Sequence, residues 1–150
     1  MIYVTSLNIK EEKGGRVKAI SQGHFQKGRG LVGDVNSQGG EREVSIFGLE
    51  GKEEIGDNRE GICMRRFYGN IEIRGLDFAS LEVGQTLRIG NTVHEITVIG
   101  KDCFPDCILV KRGQPCPLTR TVIFTRLIEG GDIEIGDQVT RLDKTDEKDK

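Results

Sequence analysis

The sequence predicts a mainly β protein, a closed or nearly closed β-barrel of short strands with few short helices. Short apolar runs rich in Val and Ile alternate with turn residues along the chain, which is typical of strands joined by tight turns. Glycine accounts for 21 of the 150 residues, and this favours turns over long helices. Hydrophobic residues make up 35% of the chain, aromatics only 5%, and Trp is absent. The core must therefore consist mainly of Val, Ile and Leu.

The predicted strands follow the apolar runs in chain order. The clearest signal is a hairpin over 87–99, in which Gly90 and Asn91 separate two apolar segments as a two-residue primed turn does. The other expected strands lie at 17–20, 44–47, 71–74, 122–128, 133–135 and 139–142. A helical turn or two is expected over 49–55, and loops over 22–40 and 100–120. Two similar segments, 81–87 and 133–139, are interpreted as strand–turn–strand corners of the barrel.

Length and charge restrict the classes of function. One domain is expected over 1–142, followed by a disordered, mostly charged tail over 143–150. Lys and Arg number 22 against 24 acidic residues, a net charge of −2, which gives no support for binding to nucleic acid or to an acidic membrane surface. No apolar stretch is long enough to span a bilayer, and no signal-peptide pattern opens the sequence. The expected compartment is the cytoplasm, where cysteines are thiols, ligands or reactive groups rather than disulfides.

Three of the four cysteines lie close together in the predicted loop over 100–120. Cys103 and Cys107 are separated by three residues, and Cys116 follows between two prolines. Pro105 lies between the first two and argues against a continuous helix. Nearby basic residues would lower the pKa of these thiols and nearby acidic residues would raise it. The sequence therefore does not fix the direction of the net shift.

Three interpretations of this cysteine cluster stay open. A structural zinc site would take its fourth ligand from Cys63, His24 or His94. In the second interpretation the thiols are small buried hydrophobic groups. In the third, one of them is a reactive cysteine that accepts sulfur or ligates a soft metal. Spacing does not decide among the three, because a lone pair of cysteines three residues apart is a weak signal.

Other candidate residues carry weaker signals. The glycine-rich segment 28–34 would offer backbone N–H groups to an anion, although a mobile surface loop is the simpler interpretation. His24 and His94 have no paired Ser or carboxylate motif and are expected at the surface or at a strand edge. Arg42 and Asn70 each precede an apolar strand. Polar residues in that position either point into a ligand mouth or cap a turn.

Taken together, the order of these segments resembles the MOSC family, the domain found at the C-terminus of molybdenum-cofactor sulfurases. The resemblance extends from about residue 6 to residue 142, and the cysteine spacing resembles that of short, stand-alone bacterial members. Each motif is weak alone, and their common order makes the resemblance specific. In chain order the motifs are Glu12-Lys-Gly-Gly, Gly30-Leu-Val-Gly-Asp, Arg42-Glu-Val-Ser, Gly69-Asn-Ile-Glu-Ile-Arg-Gly-Leu-Asp, Leu81-Glu-Val-Gly with Leu87-Arg-Ile-Gly, Phe124-Thr-Arg-Leu-Ile-Glu-Gly-Gly-Asp, and Gly136-Asp.

The resemblance implies a β-rich barrel and a role for one thiol. Cys103 matches the cysteine of the family that is thought to carry sulfur as a persulfide or to ligate molybdenum, so a sulfurtransferase or sulfur carrier is implied. Cys107 or Cys116 would resolve the persulfide by forming a disulfide with Cys103. A pyridoxal-phosphate desulfurase domain does not fit in 150 residues. No pyridoxal phosphate is therefore expected here; the implied partners are a cysteine desulfurase or other sulfur donor, and a molybdoenzyme or cofactor carrier.

The resemblance also implies a cofactor site. Arg42, Ser45 and Asn70 match positions that would line the same cleft and hold the phosphate of the molybdenum cofactor. The sequence departs from the family pattern where Asn36 stands near the place of a common histidine and where Gly69 replaces an acid. The alternative is a binding module without turnover. Such a module would hold molybdenum cofactor or an oxyanion, or a structural metal through the cysteines.

Overall fold

The computed structural model describes residues 2–13, 15–35, 43–50, 69–100 and 121–142. Within these ranges the chain is mainly β, which confirms the predicted fold class. One 3₁₀ turn, Phe78–Ser80, accompanies the strands. The strands of the described ranges are β1 (Tyr3–Ile9), β2 (Lys18–Ile20), β3 (Gln22–Gln26), β4 (Gly30–Leu31), β5 (Val44–Gly48), β6 (Ile71–Arg74), β7 (Thr86–Ile89), β8 (Thr92–Ile99), β9 (Val122–Glu129), β10 (Gly131–Glu134) and β11 (Val139–Leu142).

Eight strands form one curled sheet in the order β11-β7-β8-β9-β5-β6-β1-β2. Neighbouring strands in it are antiparallel except β5 and β6, which run parallel. The curl brings β1 against the residues that lead into β11. Tyr3 forms a bridge with Gln138, and the N–H of Val139 donates to the C=O of Ile2 at 2.9 Å. Strands from the two ends of the described chain thus meet, as the predicted barrel-like fold requires.

Aliphatic side chains fill the interior of the curled sheet. Ile46 on β5 lies beside Ile71 on β6 and beside Ile123 on β9, and none of the three is exposed to solvent. Burying one such side chain contributes about 1.5–3 kcal/mol, so this row is a main source of cohesion between the central strands. The smaller sheet, in the order β10-β3-β4, adds three side chains to the same core: Phe25, Leu31 and Ile133.

The structure confirms the predicted hairpin. β7 and β8 pair antiparallel, and Gly90 between them has a φ of +54° whereas Asn91 does not adopt positive φ. A glycine at the first central position alone is the pattern of a type II′ turn. The two similar corner segments are also turns, with Gly84 at φ +93° before β7 and Gly136 at φ +95° before β11. The strands that follow these two corners pair with each other.

The prediction of a loop over 22–40 is wrong where β3 and β4 form. The pattern of β3 is hidden because only Phe25 among its residues is a large apolar group. Its second inward position is Gly23, where a Cβ would come within 2.8 Å of Leu31 Cδ1. Glycine therefore leaves room for Leu31 at a position where the strand period would otherwise place an apolar residue. β1 is absent from the sequence prediction as well, and an irregularity between Val4 and Ser6 interrupts its register with β6.

Several predictions fall partly or wholly outside the described residues. Leu49 and Glu50 are helical, and the remainder of the helical turn expected over 49–55 lies outside them. The same holds for the loop over 101–120 and for the tail over 143–150. The single domain over 1–142 stays a prediction. No helix in the described part of the chain combines the length and the apolar character needed to cross a membrane.

Candidate functional site

Of the residues that the family resemblance implies for sulfur or cofactor, the structure describes Ser45 and Asn70; it also describes the other candidates His24, His94 and the glycine-rich segment. Ser45 and Asn70 lie at the corresponding ends of the parallel strands β5 and β6, where Ile46 stands beside Ile71. The remaining candidates lie outside the described residues: Arg42, Cys103, Cys107, Cys116, Cys63 and Asn36.

Ser45 and Asn70 are hydrogen-bonded to each other in both directions. The Asn70 side-chain oxygen accepts from the Ser45 backbone N–H at 3.2 Å and from the Ser45 hydroxyl at 3.1 Å. The backbone N–H of Asn70 donates to Ser45 Oγ at 2.9 Å. The hydrogen bonds between parallel strands are slanted. Where the β5–β6 pairing begins, the Ser45 and Asn70 side chains bond the backbone N–H groups of each other's residue. The pair therefore anchors the start of the β5–β6 ladder.

Asn8 on β1 extends this pair to a third strand. Its backbone N–H donates to the C=O of Asn70 at 3.0 Å, and its side-chain amide donates to the C=O of Gly69 at 2.9 Å. In return the Asn70 amide donates to the C=O of Asn8 at 3.3 Å. We call Asn8, Ser45 and Asn70 the polar clamp. Its geometry supports the capping interpretation of Asn70, and cofactor binding by Ser45 and Asn70 stays a prediction.

The described residues on either side of the cysteine segment, Gly100 and Thr121, are bonded at adjacent points of the sheet. The N–H of Gly100, the last described residue before that segment, donates to the C=O of Val122 at 2.7 Å. The C=O of Thr121, the first described residue after it, accepts from the N–H of Gly48 at 2.8 Å. Gly48 and Ser45 stand at opposite ends of β5, roughly 10 Å apart at the usual rise of a strand. The described attachment points of the cysteine segment are therefore displaced from the polar clamp.

A pocket of about 450 Å³ lies beside these attachment points, within the usual size range of small-molecule sites. Its described lining includes the end of β8 at Ile99, the residue after the cysteine segment at Thr121, and the 3₁₀ turn at Phe78. Glu50 and Asp77 are the ionisable side chains of that described lining. Two carboxylates without a described basic partner in the lining do not fit a phosphate, so this lining does not match the phosphate of the implied cofactor.

His94 is the largest departure from the predicted site. It is fully buried, so the expectation of a surface or strand-edge histidine is wrong. Burial lowers the pKa of His94 from its usual 6.5 to about 3, because the charged imidazolium would lose its hydration. The ring is therefore neutral near pH 7, with one nitrogen that donates and one that accepts.

The hydrogen bonds around His94 fix which nitrogen carries the proton. The Thr92 hydroxyl donates to the C=O of Ile89 at 2.7 Å, so its oxygen accepts from His94 Nε2–H at 2.8 Å. His94 Nδ1 must then accept from the Thr125 hydroxyl at 2.9 Å. Both ring nitrogens are engaged, which removes His94 from the zinc ligands considered above. Side chains along a strand point alternately to the two faces of the sheet. Histidine occurs on buried and on exposed faces alike, so the sequence does not indicate that His94 is buried.

The remaining candidates are held by contacts within the fold. His24 is at the surface, as expected, and its Nδ1 is 2.8 Å from Asp132 Oδ1. In the glycine-rich segment the N–H groups of Arg29 and Val32 donate to the backbone oxygens of Gln26 and His24, which leaves fewer donors for an anion. Among the described residues no group of three or more His, Cys, Asp or Glu side chains is placed to hold a metal ion.

Comparison with known proteins supports one conclusion about the fold. The structure is similar to YuaD from Bacillus subtilis, with a TM-score of 0.64 at 19% identity over 93% of this chain and 94% of that one. It is also similar to YiiM from Geobacillus stearothermophilus, with a TM-score of 0.62 at 13% identity over 96% and 76% of the two chains. These are MOSC-domain-type proteins. The fold of this chain is MOSC-like.

A third solved structure agrees with this assignment. YiiM from Escherichia coli superimposes with a TM-score of 0.62 at 14% identity, over 96% of this chain and 71% of that one. At such identities the MOSC-like likeness concerns the fold alone. No protein-family model matches the sequence, and a search of curated proteins finds no significant match.

Proposed function

We propose that this chain is a cytoplasmic MOSC-like sulfur carrier that accepts persulfide sulfur on Cys103. The observation that supports the proposal is the place of Cys103 in the sequence of a chain with a MOSC-like fold. Cys103 follows the end of β8 by four residues, at the place where the sequence resembles the family motif. The described residues on either side of its segment, Gly100 and Thr121, are tied to neighbouring strands by the backbone bonds given above.

The chemistry of the step needs a thiolate and no external oxidant. The Cys103 thiolate attacks the outer sulfur of a persulfide on the donor desulfurase, so that a new S–S bond forms at Cys103. The S–S bond in the donor breaks, and its cysteine leaves as a thiolate. The sulfur keeps its oxidation state throughout. The same exchange, run from Cys103 to an acceptor, delivers the sulfur.

The test is intact mass under non-reducing conditions after incubation with a cysteine desulfurase and cysteine. Wild type is expected to gain one sulfur atom, and Cys103→Ser is expected to gain none. Cys107→Ser and Cys116→Ser are the matched controls, because they remove a thiol from the same segment and should still load. Stoichiometric loading of Cys103→Ser would refute the assignment.

Two other results would redirect the proposal. Loss of two hydrogens without a gain of sulfur in wild type would also follow resolution of the persulfide by Cys107 or Cys116, so the double variant Cys107→Ser/Cys116→Ser decides. No gain of sulfur in that variant means that Cys103 does not carry sulfur. Loss of thermal stability with a chelator means that the cysteines hold a structural metal, because bound metal contributes directly to folding. In either case the alternative of a binding module without turnover replaces the sulfur carrier.

A further inference from the structure

We propose that the pocket beside the 3₁₀ turn binds a small organic cation, an amine or amidinium carried on an apolar or aromatic body. The inference concerns described residues and is independent of the role of Cys103. Within the described lining the walls are apolar, the ionisable groups are acidic, and the 3₁₀ turn is held by contacts with the sheet. Each of these three properties is visible in the contacts.

The apolar wall comes from the 3₁₀ turn and its flanks. Leu76, Phe78 and Leu81 line the pocket together with Ile99 from the end of β8. The first three are between 6% and 7% exposed, so their side chains are packed on one side and present a fixed surface on the other. Such a surface suits a flat or aliphatic group, which gains about 25 cal/mol for each Å² of apolar area removed from water.

The wall is preformed, because two contacts hold the 3₁₀ turn. Gly48 on β5 lies directly against the Phe78 ring, and a Cβ there would come within 2.7 Å of Phe78 Cε1. Arg141 on β11 donates to the hydroxyl of Ser80 at 2.8 Å and to its C=O at 3.4 Å. A ligand that enters this pocket therefore does not have to order the turn, which removes one of the usual entropic penalties of binding.

The acidic groups of the pocket are also held in position. Both Glu50 oxygens accept from the N–H of Gly75, at 3.0 and 3.4 Å. Asp77 Oδ1 accepts from the N–H of Ala79 at 3.2 Å. A carboxylate oxygen has lone pairs for more than one donor, so both groups can accept from a ligand while they keep these bonds. No lysine, arginine or histidine belongs to the part of the lining that the structure describes.

The charge of this lining selects the ligand class. Two carboxylates attract a cation and repel an anion of the same shape, and both effects are moderate because Glu50 and Asp77 are exposed to solvent. An amine or amidinium can donate hydrogen bonds to the carboxylate oxygens, which accept through their remaining lone pairs. Its apolar body would lie against Phe78 and its neighbours, where a positive charge close to the ring is favourable as well.

Benzamidine is the probe, since it joins an aromatic body to an amidinium. Benzoate has nearly the same shape with the opposite charge, and benzamide is the neutral analogue. Titration of the full chain is followed by amide chemical shifts in two-dimensional NMR. We expect saturable shifts at Gly48, Leu81 and Ile99 with benzamidine, weaker ones with benzamide, and none with benzoate.

Conservative variants identify the groups responsible. Asp77→Asn keeps an acceptor for the Ala79 N–H, and Asn is as good a capping residue as Asp. Glu50→Gln keeps an acceptor for the Gly75 N–H in the same way. The double variant is expected to weaken benzamidine binding by about tenfold. Glu129→Gln, at the opposite end of β9 from the pocket, is the matched control and should leave binding unchanged.

The outcomes separate this proposal from the sulfur-carrier proposal. Three results would each overturn the cation-site proposal. They are binding of benzoate as tight as that of benzamidine, chemical-shift changes confined to residues outside the pocket, and unchanged benzamidine binding in the double variant. Cys103→Ser should bind benzamidine like wild type. The cation site is therefore tested independently of sulfur loading.

Discussion

Lowering the pH should destabilise the fold through His94, and the size of the effect follows from its burial. The pKa of His94 is about 3 in the folded protein against 6.5 for an ordinary histidine. Between these two pH values the unfolded chain takes up a proton that the folded protein does not. The contribution of neutral His94 to the free energy of unfolding is therefore fully present above about pH 6.5 and is lost as the pH drops toward 3. A pH of about 5 is roughly 1.5 units below the pKa of histidine in the unfolded chain, so the free energy of unfolding is lower there by ~2 kcal/mol.

That loss is a substantial fraction of the ~5–15 kcal/mol that stabilises a typical domain. The assay is urea denaturation at about pH 7.5 and about pH 5, with the free energy of unfolding extrapolated to water. Wild type is compared with His94→Gln, whose amide also offers one donor side and one acceptor side but does not titrate. The variant is expected to lose ~2 kcal/mol less than wild type between the two pH values.

Two controls make the experiment decisive. His24 is the other histidine of the sequence, and its side chain is 61% exposed, so His24→Gln should retain the wild-type loss. Imidazole nitrogen shifts of wild type should report a neutral, Nε2-protonated ring at about pH 5. Equal losses in wild type and His94→Gln, or a protonated ring at that pH in the folded protein, would refute the reasoning.

Four further substitutions test packing and the polar clamp by urea denaturation. Asn70→Ala should lower the free energy of unfolding by ~2–3 kcal/mol, because it removes the side chain that accepts from the Ser45 N–H and hydroxyl and donates to the Asn8 C=O, whereas Ser45→Ala should cost about 1 kcal/mol. Equal effects would contradict the central role of Asn70. Gly48→Ala should cost ~1–3 kcal/mol, since its Cβ would overlap the Phe78 ring, and a neutral result would mean that the ring moves freely. Gly130→Ala should cost a similar amount, because its Cβ would lie 2.6 Å from a backbone oxygen of β3. Unchanged stability would show that the backbone of β3 shifts to make room for the Cβ.

The local features of the fold are the ones that the sequence predicts. The hairpin over 87–99 depends on Gly90 and on apolar residues directly beside it, so a short window contains the whole signal. The strands at 44–47 and 71–74 are visible as apolar runs in the same way. β3 is not, because its inward positions are Gly23 and Phe25, and the glycine is explained only by Leu31 on the neighbouring strand.

The candidate site is less accessible to sequence reasoning, because it depends on contacts between distant segments. Ser45 and Asn70 are identified by the family resemblance, but their bond to each other and to Asn8 requires the parallel pairing of β5 and β6 and the antiparallel pairing of β1. His94 is not recognisable as buried from the sequence, since one of its two hydrogen-bond partners, Thr125, lies on another strand. The acidic pocket likewise joins residues from several elements that no motif connects.

The meeting of β1 with the residues before β11 has a consequence for synthesis on the ribosome. β1 is made well before Val139, and the bond from Val139 to Ile2 cannot form until that residue has been made. At about 5–20 residues per second, the nascent chain spends several seconds with that edge of β1 unpaired. An unpaired strand edge is a template for association with other chains. Contacts of such large sequence separation also slow folding, so the contact between β1 and the residues around β11 is expected to form late.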